Sequence, residues 1–482
     1  MRTVMRTLPA DLYERWREGR FRPAHCCEPR TPAAPEESVL QQVWRHQRLL
    51  RDGLRTVDGQ RLTVLHPGFW NREAGPDFRG ALLQFDDHPA LTGDVEIDLH
   101  PAGWSHHRHA TNPAYANVLL HVVWQAAPGS PAHLPTLVLA DRLDAPLEDI
   151  ERWLADDSPG GLAPELAGLC SEPLSRLPAP VLAALLEQAA GIRLTWKSVR
   201  LQARARQAGW TGALWESLFA ALGYKHNPWP MRRMAELLPV LAGDRPDLVT
   251  LQARLIGVAG LLPRELSRQQ AGADAALRRI WDAWWRDQAV FAEWVLPDSA
   301  WRLAGVRPAN HPQRRLALAA HWLNRGELGD QLEQWLARDI PRGRLVASLQ
   351  EILSPGEDAL WSHHWHLRGP ALQQPRRLLG NARVTDLAVN AVLPWLHSRA
   401  TIGAHDRLRA RVESRFNAWP ATQDNAELRL ARDRLLRDAP MPRPGRAAHQ
   451  QGLQQILRDF CHQTNARCDG CRFPALVGGI DA

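Results

Sequence analysis

The sequence predicts an α+β protein: a mixed α/β domain in the first third, then a large all-helical domain. Three observations lead there. Between about residues 54 and 140, short apolar stretches recur, and the clearest of them alternates apolar and polar residues with the period of two that marks a half-buried strand. From about Pro146 those signals vanish, and helical spacing interrupted by Pro and Gly runs to the end. Near the C-terminus, Cys461, Cys468 and Cys471 crowd into a short tail, the pattern of a Cys-ligated metal. The chain of 482 residues therefore divides into a lead-in (1–35), an α/β domain (36–145), a helical domain (146–440) and a terminal helix with its cysteine cluster (441–482).

In chain order, the lead-in is rich in Pro and Arg and holds the Cys26-Cys27 pair. ESVLQQVWRHQRLL, residues 37 to 50, has apolar residues at helical spacing and predicts the first stable helix. Asp58-Gly59 marks a hairpin turn between two short strands. Gly75-Pro76-Asp77 is a turn opening a strand over 78–86, and a connection over 87–93 returns the chain antiparallel into GDVEIDLH. Residues 104–109 read as a His-rich loop, 113–116 as a helical turn, and 118–124 and 136–140 as further strands, giving a helix with five or six strands. Beyond Pro146, Gly223 is expected to cap one helix, a Trp stripe in RRIWDAWWRDQAVFAEW to face the core, and Asn310 with its prolines to start another helix. Residues 438–448 read as a linker before a last helix over 450–461.

Composition narrows the function classes. No apolar run approaches the ~18 residues a membrane span needs, and no apolar core follows the basic N-terminus as a secretory signal would require, so a cytoplasmic location with no membrane partner is expected. A net charge of +7 with pI near 9.5 favours an anionic partner, nucleic acid first. Lys197 and Lys225 are the only lysines, so none lies near the acidic strand in sequence. Oligomeric state leaves no mark in the pattern.

In GDVEIDLH, Asp94, Glu96, Asp98 and His100 alternate with Val95, Ile97 and Leu99. Carboxylates on one strand face repel unless a hard cation sits among them, so Asp77, Glu96 and Asp98 are candidate Mg²⁺ or Mn²⁺ ligands. His100 or His107 would handle the water. The plainer alternative is the solvated face of an edge strand. His106, His107 and His109 on an extended loop, joined by His121 or Glu96, could instead hold zinc; the alternative is a solvated loop and a satisfied core histidine. The tail's Cys-x6-Cys-x2-Cys supplies three thiolates for zinc or a 4Fe-4S cluster, with Cys170 the best fourth ligand and His462 next, against the alternative of reduced thiols without metal. Arg307 and Arg315 flank a helix start suited to a phosphate, or to a turn pinned by prolines.

An Asp heading one strand and a Glu in its hairpin partner resemble the PD-(D/E)xK nucleases. That resemblance implies two carboxylates and the Ile97 carbonyl on Mg²⁺, with a Lys two residues after the second acid; here that position is Asp98. Across its length the chain resembles a bacterial family designated domain of unknown function 2851. The carrying segments are GFWNREAGPDF (68–78), GDVEIDLH (93–100), WSHHRH (104–109), YANVLLHVV (115–123), the helix with Gly257 and Gly260, RPANHPQRR (307–315), the surroundings of Asn390 and Pro394, and CHQTNARCDGC (461–471). Asn71, Trp104, His109, Tyr115 and His121 fall in these segments as supporting residues. Where that family is expected to have His after Val-Glu-Ile, this chain has Asp98. Together these readings lead to a metal-dependent nuclease-like protein. The alternatives are a non-catalytic nucleic-acid-binding scaffold with structural metals and a zinc hydrolase of a small substrate.

Overall fold

The computed structural model describes residues 8–19, 35–71, 75–107, 109–126, 134–147, 150, 168–263, 265, 275–367, 369–423, 425–437, 445–461, 468 and 471–480. Cys26, Cys27, His462 and most of the 438–448 linker lie outside them. An N-terminal sheet domain is followed by a large helical region, as the α+β expectation has it.

Helix α1 (Leu12–Gly19) falls in the expected lead-in, yet it is packed: Tyr13 is fully buried and its hydroxyl donates to Asp459 Oδ2 at 2.7 Å, across the chain to the C-terminal segment. Helix α2 (Glu37–His46) buries Leu40, Val43 and Trp44 and carries Glu37 in its first turn and Arg45 and His46 in its last, matching the helix dipole. It stops at His46 rather than at residue 50 because Gln47 adopts a left-handed conformation (φ 47°).

Six strands form one sheet: β1 (Leu62–His66), β2 (Phe69–Trp70), β3 (Phe78–Phe85), β4 (Leu91–Asp98), β5 (Val118–Val123) and β6 (Thr136–Val138). Their order is β1-β3-β4-β5-β6, with β2 beside the start of β3. The β3–β4 hairpin is antiparallel as expected, whereas β4, β5 and β6 run parallel. This puts β4 in the middle of the sheet and corrects the edge-strand alternative: Asp94, Glu96 and Asp98 are all buried. Asp58-Gly59 does turn the chain, between a single bridge (Arg55 to Arg61) rather than two strands. One apolar core joins α2 to Val95, Ile97, Leu120 and Val122 of the sheet. Leu65 and Leu82 instead enter the main helical core, and Arg51 reaches from the sheet domain to Glu236, so the two regions share packing.

A helix of 44 residues, Ala179–Leu222, kinked at Gly209, is the spine of the helical region, and helix Ala447–Ile456 crosses it where Gly452 faces the Leu186 carbonyl. Gly223 does end the spine, but in a right-handed conformation; its role is clearance, since a Cβ there would meet the Asn227 carbonyl oxygen at 2.2 Å. The Trp stripe does not face the core as a unit. Leu277, Ile280, Ala283 and Phe291 take that face, and Trp285 is 55% exposed with its ring stacked on Trp281. Asn310 does not cap helix Pro312–Arg325; its Oδ1 accepts from Arg315 and from the Tyr224 hydroxyl. Among the described residues no helix is long and apolar enough to cross a membrane.

Candidate functional site

The antiparallel register that pairs Phe78 with Val95 sets Asp77 opposite Glu96, one residue before β3 begins. Two hydrogen bonds fix that pair. The Asp77 backbone N–H donates to Glu96 Oε2 at 3.1 Å, and the Ile97 N–H donates to Asp77 Oδ2 at 3.1 Å. Asn71 supports the turn from behind: its N–H bonds the Asp77 carbonyl at 2.7 Å and its Nδ2 the Pro76 carbonyl at 3.0 Å. Asp94 has a different task. Its Oδ1 accepts the Gly80 N–H at 3.0 Å where β3 bulges, with Gly80 left-handed at φ 66°.

The segment expected as an extended histidine loop holds two short helical turns, α3 (Gly103–His106), which ends at His107, and a 3-10 turn at His109–Thr111. The donor atoms of Asp98, His107 and His109 lie within 4.8 Å of one another, the one such group among the described residues. His107 Nδ1 is 3.5 Å from Asp98 Oδ1, and His109 Nε2 is 3.2 Å from Glu96 Oε1. His121, fully buried on β5, bonds Asp98 Oδ2 at 2.9 Å. Nδ1 of His109 and Nδ1 of His121 are buried without hydrogen-bond partners, an arrangement that suits metal ligation. Trp104 and Tyr115 wall the histidines, with the Tyr115 and His109 rings 3.9 Å apart. His100 lies past the end of β4, exposed, and no described contact joins it to the carboxylates.

Three further residues belong here that sequence reasoning missed. Gln41 on α2 donates to Asp77 Oδ1 at 2.9 Å, and Glu37, one turn earlier, faces the electrostatic field of Asp98 and His107. Their four-residue spacing was the available signal. Gly103 lets α3 approach Asp98, because a Cβ there would sit 2.4 Å from Oδ1.

The electrostatics are those of an overloaded anionic pocket. Burial, then the neighbouring Asp77, Asp98 and Glu37 carboxylates, push Glu96 up to about 9, although the Asp77 N–H opposes the shift. Burial raises Asp77 to about 7 against the help of the Ile97 N–H. Burial and the same acids lift Tyr115 to about 12, and burial lowers His109. At neutral pH without a cation Glu96 therefore holds a proton, which a divalent ion would displace.

The other expected sites divide. Arg315 is buried, its Nη1 and Nη2 donating to the carbonyls of Leu378 and Ala309 and to Asn310, which corrects its assignment to a phosphate. Arg307 is exposed and lines a polar cavity of about 580 Å³ with Arg193, Tyr224, Asn310 and Asn390. Cys170, Cys461, Cys468 and Cys471 are all outside disulfides, and the electrostatic field at Cys170 is set in part by the other three, so the four share one neighbourhood.

No curated protein and no solved structure matches the chain. A family model, Protein of unknown function (DUF2851), matches residues 37–425, beginning at the first residue of α2. Most of the chain is covered, and the chain belongs to that family.

Proposed function

We propose that the chain is a metal-dependent nuclease-like hydrolase whose sheet site acts on phosphodiester bonds of nucleic acid. One observation carries this reading: the Asp77 and Glu96 carboxyl groups meet across the β3–β4 pair in a pocket where the strongest neighbouring charges are other carboxylates. Such a set is costly without a cation and well suited to one. Asp77, Glu96 and the Ile97 carbonyl would hold Mg²⁺ or Mn²⁺, as the PD-(D/E)xK resemblance implies. The cation would neutralise phosphate charge and acidify an attacking water.

The motif's Lys is replaced here by Asp98, which His121 and His107 flank. We assign proton transfer to His107, whose side chain is 55% exposed at the pocket rim within reach of Asp98. Asp98 and His121 orient it rather than react. The net charge of +7 fits a polyanionic substrate, and Arg307, exposed with one long hydrogen bond to Gln423 at 3.4 Å, is the guanidinium best suited to meet a phosphate away from the sheet.

The test is cleavage of single- and double-stranded DNA and RNA with Mg²⁺ or Mn²⁺. Asp77→Asn and Glu96→Gln should each lower the rate roughly a hundredfold or more with the fold intact by circular dichroism. Salt-dependent binding without cleavage, indifferent to Glu96→Gln, rejects this reading in favour of a non-catalytic scaffold.

A second reading rests on the Asp98–His107–His109 group. Two imidazoles and a carboxylate are a zinc donor set and would suit a zinc-dependent hydrolase of a small substrate. Stoichiometric zinc that disappears in His107→Ala and His109→Ala would select it.

A further inference from the structure

Far from the sheet in sequence, four cysteines converge from three segments. Cys170 precedes helix Ser171–Arg176 and is 5% exposed; Cys461 ends the π-helical turn Leu457–Cys461 and is 7% exposed. Cys468 and Cys471 follow in the tail, where the Cys471 N–H donates to the Cys468 carbonyl at 3.0 Å. Gly168 leaves room beside Cys170, since a Cβ there would lie 3.1 Å from the sulfur. Leu174, Leu177, Phe460, Phe473 and Val477 form an apolar cluster with Cys170 and Cys461, against which the half-buried Cys471 packs.

Four reduced thiols from distant parts of a chain are not gathered by packing alone. Cysteine is a small hydrophobe and can fill a core singly, but here Cys170 and Cys461 share one apolar cluster, Cys471 packs against it, and Arg434 ties Cys468 to the segment beside Cys170. Arg434, 3% exposed, donates from Nη2 to Cys468 Sγ at 3.6 Å, and its carbonyl accepts the Gly168 N–H beside Cys170 at 2.9 Å. A buried guanidinium among sulfurs is what an anionic thiolate–metal centre requires.

The spacing separates the candidate metals. A lone zinc with bonds of about 2.3 Å to tetrahedral sulfurs holds them about 3.8 Å apart. Among the described residues, the one group of three ligand atoms lying within 4.8 Å of one another is Asp98, His107 and His109, so no three of these sulfurs are that close. A polynuclear centre spreads its thiolates more widely.

We propose that Cys170, Cys461, Cys468 and Cys471 together ligate an iron–sulfur cluster that staples the C-terminal segment to the start of the helical region. Ligation forms four iron–thiolate bonds and releases four thiol protons to solvent, with no change in the oxidation state of the cysteines. Its role is structural. Cys461 lies at the end of the turn whose Asp459 receives Tyr13 of α1, so one clasp fixes the N-terminal helix, the junction at Cys170 and the tail.

The test is iron, sulfide and zinc analysis of the full chain purified without oxygen. Expected are iron and acid-labile sulfide in equal amounts, with broad absorbance near about 400 nm. Stoichiometric zinc without iron overturns the proposal, and so do four titratable thiols without metal. Cys170→Ser and the half-buried Cys468→Ser and Cys471→Ser should each lose most of the iron. Helical circular dichroism shows whether a variant has simply failed to fold. Full iron retention in Cys170→Ser, or in both tail variants, overturns the staple. Glu96→Gln should keep its iron whatever happens to the sheet site, so the two proposals fail separately.

Discussion

His66, on β1, shows how a single buried ring can set the acid tolerance of the sheet domain. It is 3% exposed, its Nδ1 accepts the Gly68 N–H at 2.9 Å, and burial lowers its pKa to about 4. As pH falls, the unfolded chain takes up the proton first. The contribution to stability is therefore complete above about pH 6.5 and is lost between there and about pH 4, roughly 2 kcal/mol of it by pH 5. Asp77 and Glu96 have raised values and act in the opposite sense over the same window. The measurement is thus a difference: the urea midpoint at pH 5 minus that at pH 7 should be larger for His66→Gln than for the native chain. An unchanged pH slope in the variant would contradict the assignment. At this scale the sequence was legible where local register decides. Asp77 and Glu96 face each other because a short antiparallel hairpin leaves them little freedom. Gln41 and Glu37 were not legible, because nothing in α2 says which strand end it will lie against.

Elements meet where small residues allow it, and this gives a sharp test. A Cβ on Gly452 would lie 2.1 Å from the Leu186 carbonyl oxygen, so the crossing of helix Ala447–Ile456 over the 44-residue spine needs hydrogen there. Helix propensity alone would favour Ala over Gly by about 1 kcal/mol. A clash between two backbones cannot relax by rotating a side chain, and overpacking of this kind costs about 1–3 kcal/mol. Gly452→Ala should therefore lower the melting temperature. Gly191→Ala, on the same spine with nothing within 4 Å, should leave it unchanged or raise it. The parallel placement of β5 against β4 was hidden from sequence reading. Strand periodicity reports which face is buried but not which neighbour lies alongside, and it was this pairing that moved the acids from an edge to the centre of the sheet. The histidine segment was misread for a related reason: WSHHRH carries no marker for a helix that breaks after a single turn.

Across the whole molecule, the two-part architecture could be read from the loss of strand signals near Pro146, and Cys170 could be singled out as the partner of the tail cysteines because so few remained. The shared packing between the parts could not, since Leu65 and Leu82 look like ordinary strand residues until the helices cover them. The charge prediction belongs at this scale. If nucleic acid is bound, Arg307→Ala should flatten the plot of log affinity against log salt by about one unit. Arg315→Ala should leave that slope alone and instead reduce folding stability by about 2–4 kcal/mol, through carbonyl groups left without donors. A slope altered equally by both would refute the distinction.

Arg314 extends the point. Its guanidinium is 1% exposed and donates to the carbonyls of Trp361, His364, Arg376 and Arg377, fastening an irregular segment that has no sheet or helix of its own to satisfy it. Isoelectric arithmetic tallies such groups as though they looked outward. In this protein some of the arginine serves as internal mortar, so the attraction felt by a passing polyanion is weaker than the bulk figure advertises.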